Sequence, residues 1–210
     1  MMSKKQTYIY LFVFGLLYSF TSKMSFGGKL TPQKFVAYVA QNEARISKKQ
    51  ESNGVVYELK YVPSDLLFLN YMKGNKYTKK EYTSFQKENL GTSTFQFRIS
   101  TPQNGSLEFL KHPIQNGKSY EDRVKYYSFE LQKDIFLTDS DGNKYACTGY
   151  VFERNFGIQP YGIIHLVFPI DVSKKQVTVS INDNGIATNQ VQFEFAKKDL
   201  QFPKMKYNKQ

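Results

Sequence analysis

A single cysteine, Cys147, rules out an internal disulfide framework, so any fold outside a reducing compartment must rest on a hydrophobic core. Cys147 itself reads as a small buried hydrophobe. Histidine is almost as scarce. His112 precedes Pro113 in a loop-like stretch, and His165 sits mid-strand among apolar residues, where it reads as a satisfied structural group. A cysteine nucleophile needs a histidine beside it, and zinc needs His-Glu-x-x-His or paired cysteines; neither pattern is present. There is also no Gly-x-Ser-x-Gly elbow and no phosphate-cradling glycine loop. Tryptophan is absent, and arginine occurs only at Arg45, Arg98, Arg123 and Arg154. Phosphate and base recognition leans on the planar fork of arginine, so no specific nucleic acid is expected as a partner.

What the chain does have begins at its start. Lys4 and Lys5 precede an uncharged apolar run from Tyr8 to Phe20, followed by small and polar residues through Gly28. That is the layout of a secretory signal peptide, expected over 1–22 with the cut between 21 and 28. The run is short for a bilayer, which needs about 20 residues. No cysteine lies near the cut, so the chain is not expected to be lipid-anchored there. Formal net charge is +11, and most of it is lysine. The excess favours anionic partners, although a solvated lysine surface accounts for it as well.

Aromatic residues make up 16% of the chain, enough to build a core. Thr31-Pro32 opens a helix to about Ala44, with Phe35, Val36, Val39 and Ala40 on one face and Ile46 continuing it. Asn53-Gly54 is a hairpin turn, followed by alternation from Val55 to Tyr61 and a stop at Pro63. Ser64 to Met72 reads as a short helix. Thr78 and Glu81 form a capping box for another over about Lys79 to Asn89, closed near Gly91. From Thr92 onward strands dominate: Phe95 to Ile99, Leu107 to Phe109, a run carrying Tyr127, Phe129, Leu131, Ile135 and Leu137, Tyr145 to Glu153, Ile163 to Ile170, Val177 to Ile181, and Val191 to Phe195. Residues 29–91 form a helical and hairpin part, and 92–210 the sandwich part of the same domain. The fold class expected is mostly β within α+β: an antiparallel, Ig-like β-sandwich with N-terminal helices on one face or edge.

Few groups invite chemistry. Asp139, Asp141 and Asn143 resemble the opening of a calcium loop, but Lys144 stands where glycine is needed and Tyr150 where the closing glutamate is needed. The segment therefore reads as a hairpin turn. Glu121 and Asp122 read as solvated loop acids. Lysines gather around Lys73, Lys76, Lys79 and Lys80 and again from Lys197 to Lys209, with Tyr71, Tyr77, Tyr82 and Tyr207 interleaved. Stacking on nucleic acid or glycan would suit that interleaving. Export and the lack of tryptophan argue against both. The candidate binding residues are Glu153, Arg154, Phe156 and Tyr161, where a strand runs into a loop. The competing reading has Arg154 bracing Glu153 inside the domain.

The run Tyr126 to Ile135, then Cys147 and Phe152 to Gly157, together with Tyr57 to Pro63 and the closing Lys198 to Lys206, resembles a family of exported bacterial proteins of unassigned function. The likeness covers most of the chain after the leader. Members often carry a lipoprotein-type cysteine after the signal, which this sequence lacks. The family implies no catalytic residues. The expected function is an exported, non-enzymatic binding or structural protein of the bacterial envelope or exterior, periplasmic, envelope-associated or secreted. It needs no cofactor or metal, and its partner is a protein or an anionic envelope component. The alternatives are a carboxylate-based hydrolase of glycans or peptides, marked by two acids facing across a cleft, and a carrier of a small apolar ligand, marked by a dry cavity.

Overall fold

The computed structural model describes residues 28–101, 108–111, 117–154, 158–186 and 189–207. The expected leader, the turn after Thr101, Leu107, His112 and Phe156 lie outside the described residues. Thr31 caps helix α1 (Pro32–Gln41), its hydroxyl accepting from the Lys34 amide. Phe35 and Val39 are buried along one face, and Ile46 closes a short α2 (Glu43–Ile46). Strands β1 (Ser47–Ser52) and β2 (Val55–Val62) follow, joined at Asn53 and Gly54. Both turn residues have positive φ, 51° and 74°, the conformation a two-residue hairpin turn requires. Helices α3 (Ser64–Met72) and α4 (Lys79–Glu88) come next. The Thr78–Glu81 capping box is present in both directions, with 2.6 and 3.2 Å bonds.

Strand β3 (Ser93–Ser100) begins the run of strands. Helix α5 (Tyr120–Lys125) leads through further helical turns to β4 (Ile135–Asp139), followed by β5 (Lys144–Ala146), β6 (Gly149–Glu153), β7 (Tyr161–Phe168), β8 (Val177–Asp183) and β9 (Asn189–Phe195). All pairings between strands are antiparallel. One sheet has the order β1-β2-β3-β7-β6 and the other β5-β4-β8-β9. Setting β1 aside, β2-β3-β7-β6 is the A-B-E-D sheet of an immunoglobulin sandwich, and β9-β8-β4 is its G-F-C sheet, with β5 added beyond C. The Ig-like sandwich is therefore present, with β1 as an extra strand.

Aromatic rings fill the space between the sheets, where an antibody domain places a disulfide and tryptophan. Tyr57 stacks on Phe97 (centroids 5.9 Å apart), Phe97 meets Phe193 at 6.3 Å, and Phe95 meets Phe195 at 5.5 Å. One open side is bridged by a side chain. The Gln50 amide donates to the Gln192 carbonyl (2.6 Å) and accepts from the Gln192 amide (3.2 Å), so it stands in for a strand between β1 and β9. On the other side, β6 pairs only with β7 among the described residues.

The register sorts the connections to two ends. Val62 pairs with Thr94 and Ser93 with Phe168, so α3 and α4 gather at the end where β2 stops and β3 starts. The C-terminal segment reaches the same end, where the Met205 amide donates to Asp65 of α3 (2.7 Å) and Met205 forms a parallel bridge with Leu30 ahead of α1. The helices thus cap one end of the sandwich. At the opposite end lie the β1–β2 turn and the β3–β4, β6–β7 and β8–β9 connections. Asn189 ties two of these together by accepting from Ser52 and Asn53 (2.9 and 2.7 Å).

Four readings need correction. Tyr127 to Asp134 is helical, not strand: α5 runs on through a wide turn at Tyr126–Glu130 and a tight one at Leu131–Asp134. Tyr126, Tyr127 and Leu131 are buried, whereas Phe129 is 74% exposed. Glu121 and Asp122 are not idle loop acids; they begin α5, where Asp122 and Ser119 form a second capping box. Tyr145 to Glu153 is two strands in two sheets, broken at Cys147-Thr148, because the chain crosses the sandwich there. In addition, Phe109 lies in a helical turn (Phe109–Lys111).

Candidate functional site

Alternation in β7 sends Gly162, Ile164, Leu166 and Phe168 inward and leaves Tyr161, Ile163, His165 and Val167 half-exposed on the outer face of the five-stranded sheet. Gly162 is small for a reason. A Cβ there would lie 2.4 Å from the Phe109 ring, so glycine allows the β3–β4 connection to pack directly on the strand. Beside β7, β6 projects Val151 and Glu153 outward, and Val151 pairs with His165 while Glu153 pairs with Ile163. This register brings the Glu153 carboxylate to His165 Nε2 at 2.7 Å.

Three of the four predicted site residues fall at this corner, and Phe156 lies outside the described residues. Glu153 and exposed Arg154 line a shallow cavity of about 200 Å³ together with Ile158, Gln159 and Ile163. Tyr161 is next to it, not in it: its ring lies under the Arg98 guanidinium, 3.8 Å from the centroid. Arg98 in turn reaches Glu58 across the β2–β3 pair at 4.0 Å, and Glu58 accepts from Ser47 at 2.6 Å. Two apolar side chains stand in the open beside these charges, Val151 at 59% and Ile158 at 84% exposure. The surface therefore combines an apolar patch, paired charges and an open strand edge. Sequence reasoning missed His165, Arg98 and Glu58 as members of it. Their connection depends on register, which no local pattern encodes.

Chemically, the corner is suited to contact. Glu153 is the only acid among the residues lining its cavity, so a two-carboxylate hydrolysis has no second partner there. Two acids do line a larger cleft at the helix end, Asp65 and Asp171. Asp65 already accepts from Tyr82, Gln86 and the Met205 amide (2.7–2.9 Å). Burial pushes the Asp171 carboxyl up, but bonds from Ser173 and Lys174 outweigh it and hold the group below the usual carboxylate range. A general acid needs the opposite shift. This cleft has polar walls as well as apolar ones, unlike the dry cavity of an apolar-ligand carrier.

The acidic turn holds a cation of its own. Asp139 accepts from the amides of Asp141 and Asn143 and from the Lys175 ammonium, which also reaches Asp141 at 2.7 Å. The bond from Lys175, foremost, keeps Asp139 well below the usual carboxylate range. A lysine thus sits where a calcium reading would put the metal. Among the described residues, no cluster of three or more His, Cys, Asp or Glu could hold a metal ion. No described helix is long and apolar enough to cross a membrane.

Tyr77 and Tyr207, one from each of the two lysine-rich stretches, meet edge-on at 6.1 Å at the helix end. No family model matches the chain, and neither a curated protein nor a solved structure matches it.

Proposed function

We propose that this is an exported bacterial protein, akin to the family it resembles, that acts without catalysis and recognises another protein through the corner formed by β6, β7 and their connection. The observation that carries this reading is the open apolar patch of Val151 and Ile158 set among Glu153, Arg154 and the Arg98–Tyr161 stack. Exposed apolar surface rimmed by charge is the usual composition of a contact site, with arginine and tyrosine as frequent anchors. The connections of an immunoglobulin sandwich are also the parts that vary without disturbing its core.

Arg154→Ala is expected to weaken partner capture by roughly tenfold or more while the melting temperature stays nearly unchanged. An exposed ion pair contributes about 0–1 kcal/mol to stability, whereas an arginine desolvated against a partner can contribute 2 kcal/mol or more. A clear drop in melting temperature with capture unchanged per folded molecule would contradict the reading. Export has its own check. Mass spectrometry of the natural product should find an N-terminus within 21–29, and an intact Met1 or Met2 would overturn cleavage.

A second reading has one observation in its favour. The Tyr77–Tyr207 contact, which joins the two lysine-rich stretches at the helix end, supports docking on an anionic envelope component, with the opposite corner left free.

A further inference from the structure

The free edge of β9 lies across the molecule from the β6–β7 corner and stands on different observations. Between it and β1 is a slot of about 430 Å³ lined by Lys48, Lys49, Gln50, Gln192, Phe193 and Glu194. Gln50 spans this slot. Its side-chain amide donates to the Gln192 carbonyl at 2.6 Å and accepts from the Gln192 amide at 3.2 Å. Both backbone groups of Gln192 therefore point away from β8, and in an antiparallel pair every second residue does the same. Gln190 and Glu194 share that parity, opposite Asn182 and Thr178, so their N–H and C=O groups leave the same edge. Gln50 answers only the middle residue of the three. No described residue bonds to the outer two from beyond the edge.

A side-chain amide carries the same kinds of donor and acceptor as a peptide unit, and here it makes the pair of bonds that a neighbouring strand would make. The slot thus already holds a mimic of its occupant. Its ends are closed, by Lys48 over the Phe195 ring at 5.8 Å and by Asn189 accepting from Ser52 and Asn53. That leaves residues 190–194, a length of about 17 Å at the ordinary strand rise. One glutamine side chain bridges the slot, so its width suits a single extended chain, and β1 beside it excludes the edge of a second folded sandwich. Charge selects further. Lys48 and Lys49 line the slot and exposed Lys197 and Lys198 follow β9, against Glu194 and Asp199. We infer that β9 is an augmentation edge: an extended, acidic segment of a partner protein displaces Gln50 and adds to β9 as a strand. Gln50 protects the edge when that segment is absent.

The test uses an end-capped heptapeptide, Glu-Val-Glu-Val-Glu-Val-Glu, followed by fluorescence anisotropy and by amide NMR spectra of the purified protein. The parent should bind it, with shifts at Gln190, Gln192 and Glu194. Gln50 is exposed, so Gln50→Ala should keep the fold while emptying the slot. It should bind the peptide about tenfold tighter, because the two bonds to Gln192 no longer have to be displaced. A glutamine with a merely structural role would not give tighter binding on removal. The same peptide with its backbone nitrogens methylated should not bind, and the version with lysine in place of glutamate should bind more weakly. The inference is overturned if Gln50→Ala binds the peptide no tighter than the parent, if the methylated peptide binds equally well, or if the shifts fall elsewhere. Self-association of Gln50→Ala through this edge, with the peptide excluded, would also overturn it by making a second copy the occupant. Neither Val151 nor Arg154 takes part, so failure here leaves the recognition reading standing, and the converse holds.

Discussion

Asp183→Ala should lower the stability of the protein by about 3–5 kcal/mol in urea unfolding, because it strands several buried donors at once. Asp183 lies at the end of β8 and is fully buried. Its carboxyl accepts from the hydroxyls of Tyr57 and Tyr127 and from the Gly185 amide, all at 2.8 Å. Asn189 donates to the Tyr57 hydroxyl at 2.8 Å and extends the network to the β1–β2 turn. Burial, foremost, raises the Asp183 carboxyl above the usual range despite these donors. The sign of the pH effect follows. Above the unfolded value, about 3.9, the unfolded chain loses this proton before the folded one does, so the group's contribution falls as pH rises toward the raised folded value. Asp183→Asn keeps the shape and can still bond both tyrosine hydroxyls, which accept as well as donate. It should cost far less than Asp183→Ala. The stability difference between parent and Asp183→Asn should shift in favour of the asparagine variant as pH rises above 4. A pH-independent difference would contradict a raised carboxyl.

Phe97→Ala should cost a further large amount, about 3–5 kcal/mol, since the ring is fully buried between Tyr57 and Phe193 and its removal leaves a cavity between the sheets. Phe129→Ala, by contrast, should stay within about 0.5 kcal/mol, as expected for a side chain on the surface. The pair is informative together, because both rings belong to segments that read as strands in the sequence. Equal losses from the two substitutions would mean that the helical path of residues 126–134 is wrong. Phe97 and Asp183 both touch Tyr57, so their effects should not add.

The parts of the fold legible in the sequence are those whose signal is local. Alternation in β2, β3, β8 and β9 survives because each of these strands has one face on the core. The Asn53-Gly54 turn and the Thr78 cap are equally local. Residues 126–134 misled because Tyr127 and Leu131 are four apart, a spacing that satisfies both a period of two and a helical face. The Ser119–Asp122 capping box was the available signal for a helix just before. The break at Cys147-Thr148 had none, since which sheet a strand joins is decided by its neighbours. At the candidate site, Glu153, Arg154 and Tyr161 could be found as strand-to-loop residues. The Glu153–His165 and Arg98–Tyr161 contacts could not, because they arise from the pairing of β3, β7 and β6. The role of Asp183 was not legible for the same reason. Its partners Tyr57 and Tyr127 lie 126 and 56 residues away.

Site-specific photocrosslinking in the native cells tests the recognition reading most directly. A photoreactive residue placed at Val151 or at Arg154 should capture the same protein, and one placed at Lys144 on the other sheet or at Lys80 on α4 should not. Capture of that protein from Lys80 or Lys144, with none from Val151 or Arg154, would contradict recognition through the β6–β7 corner.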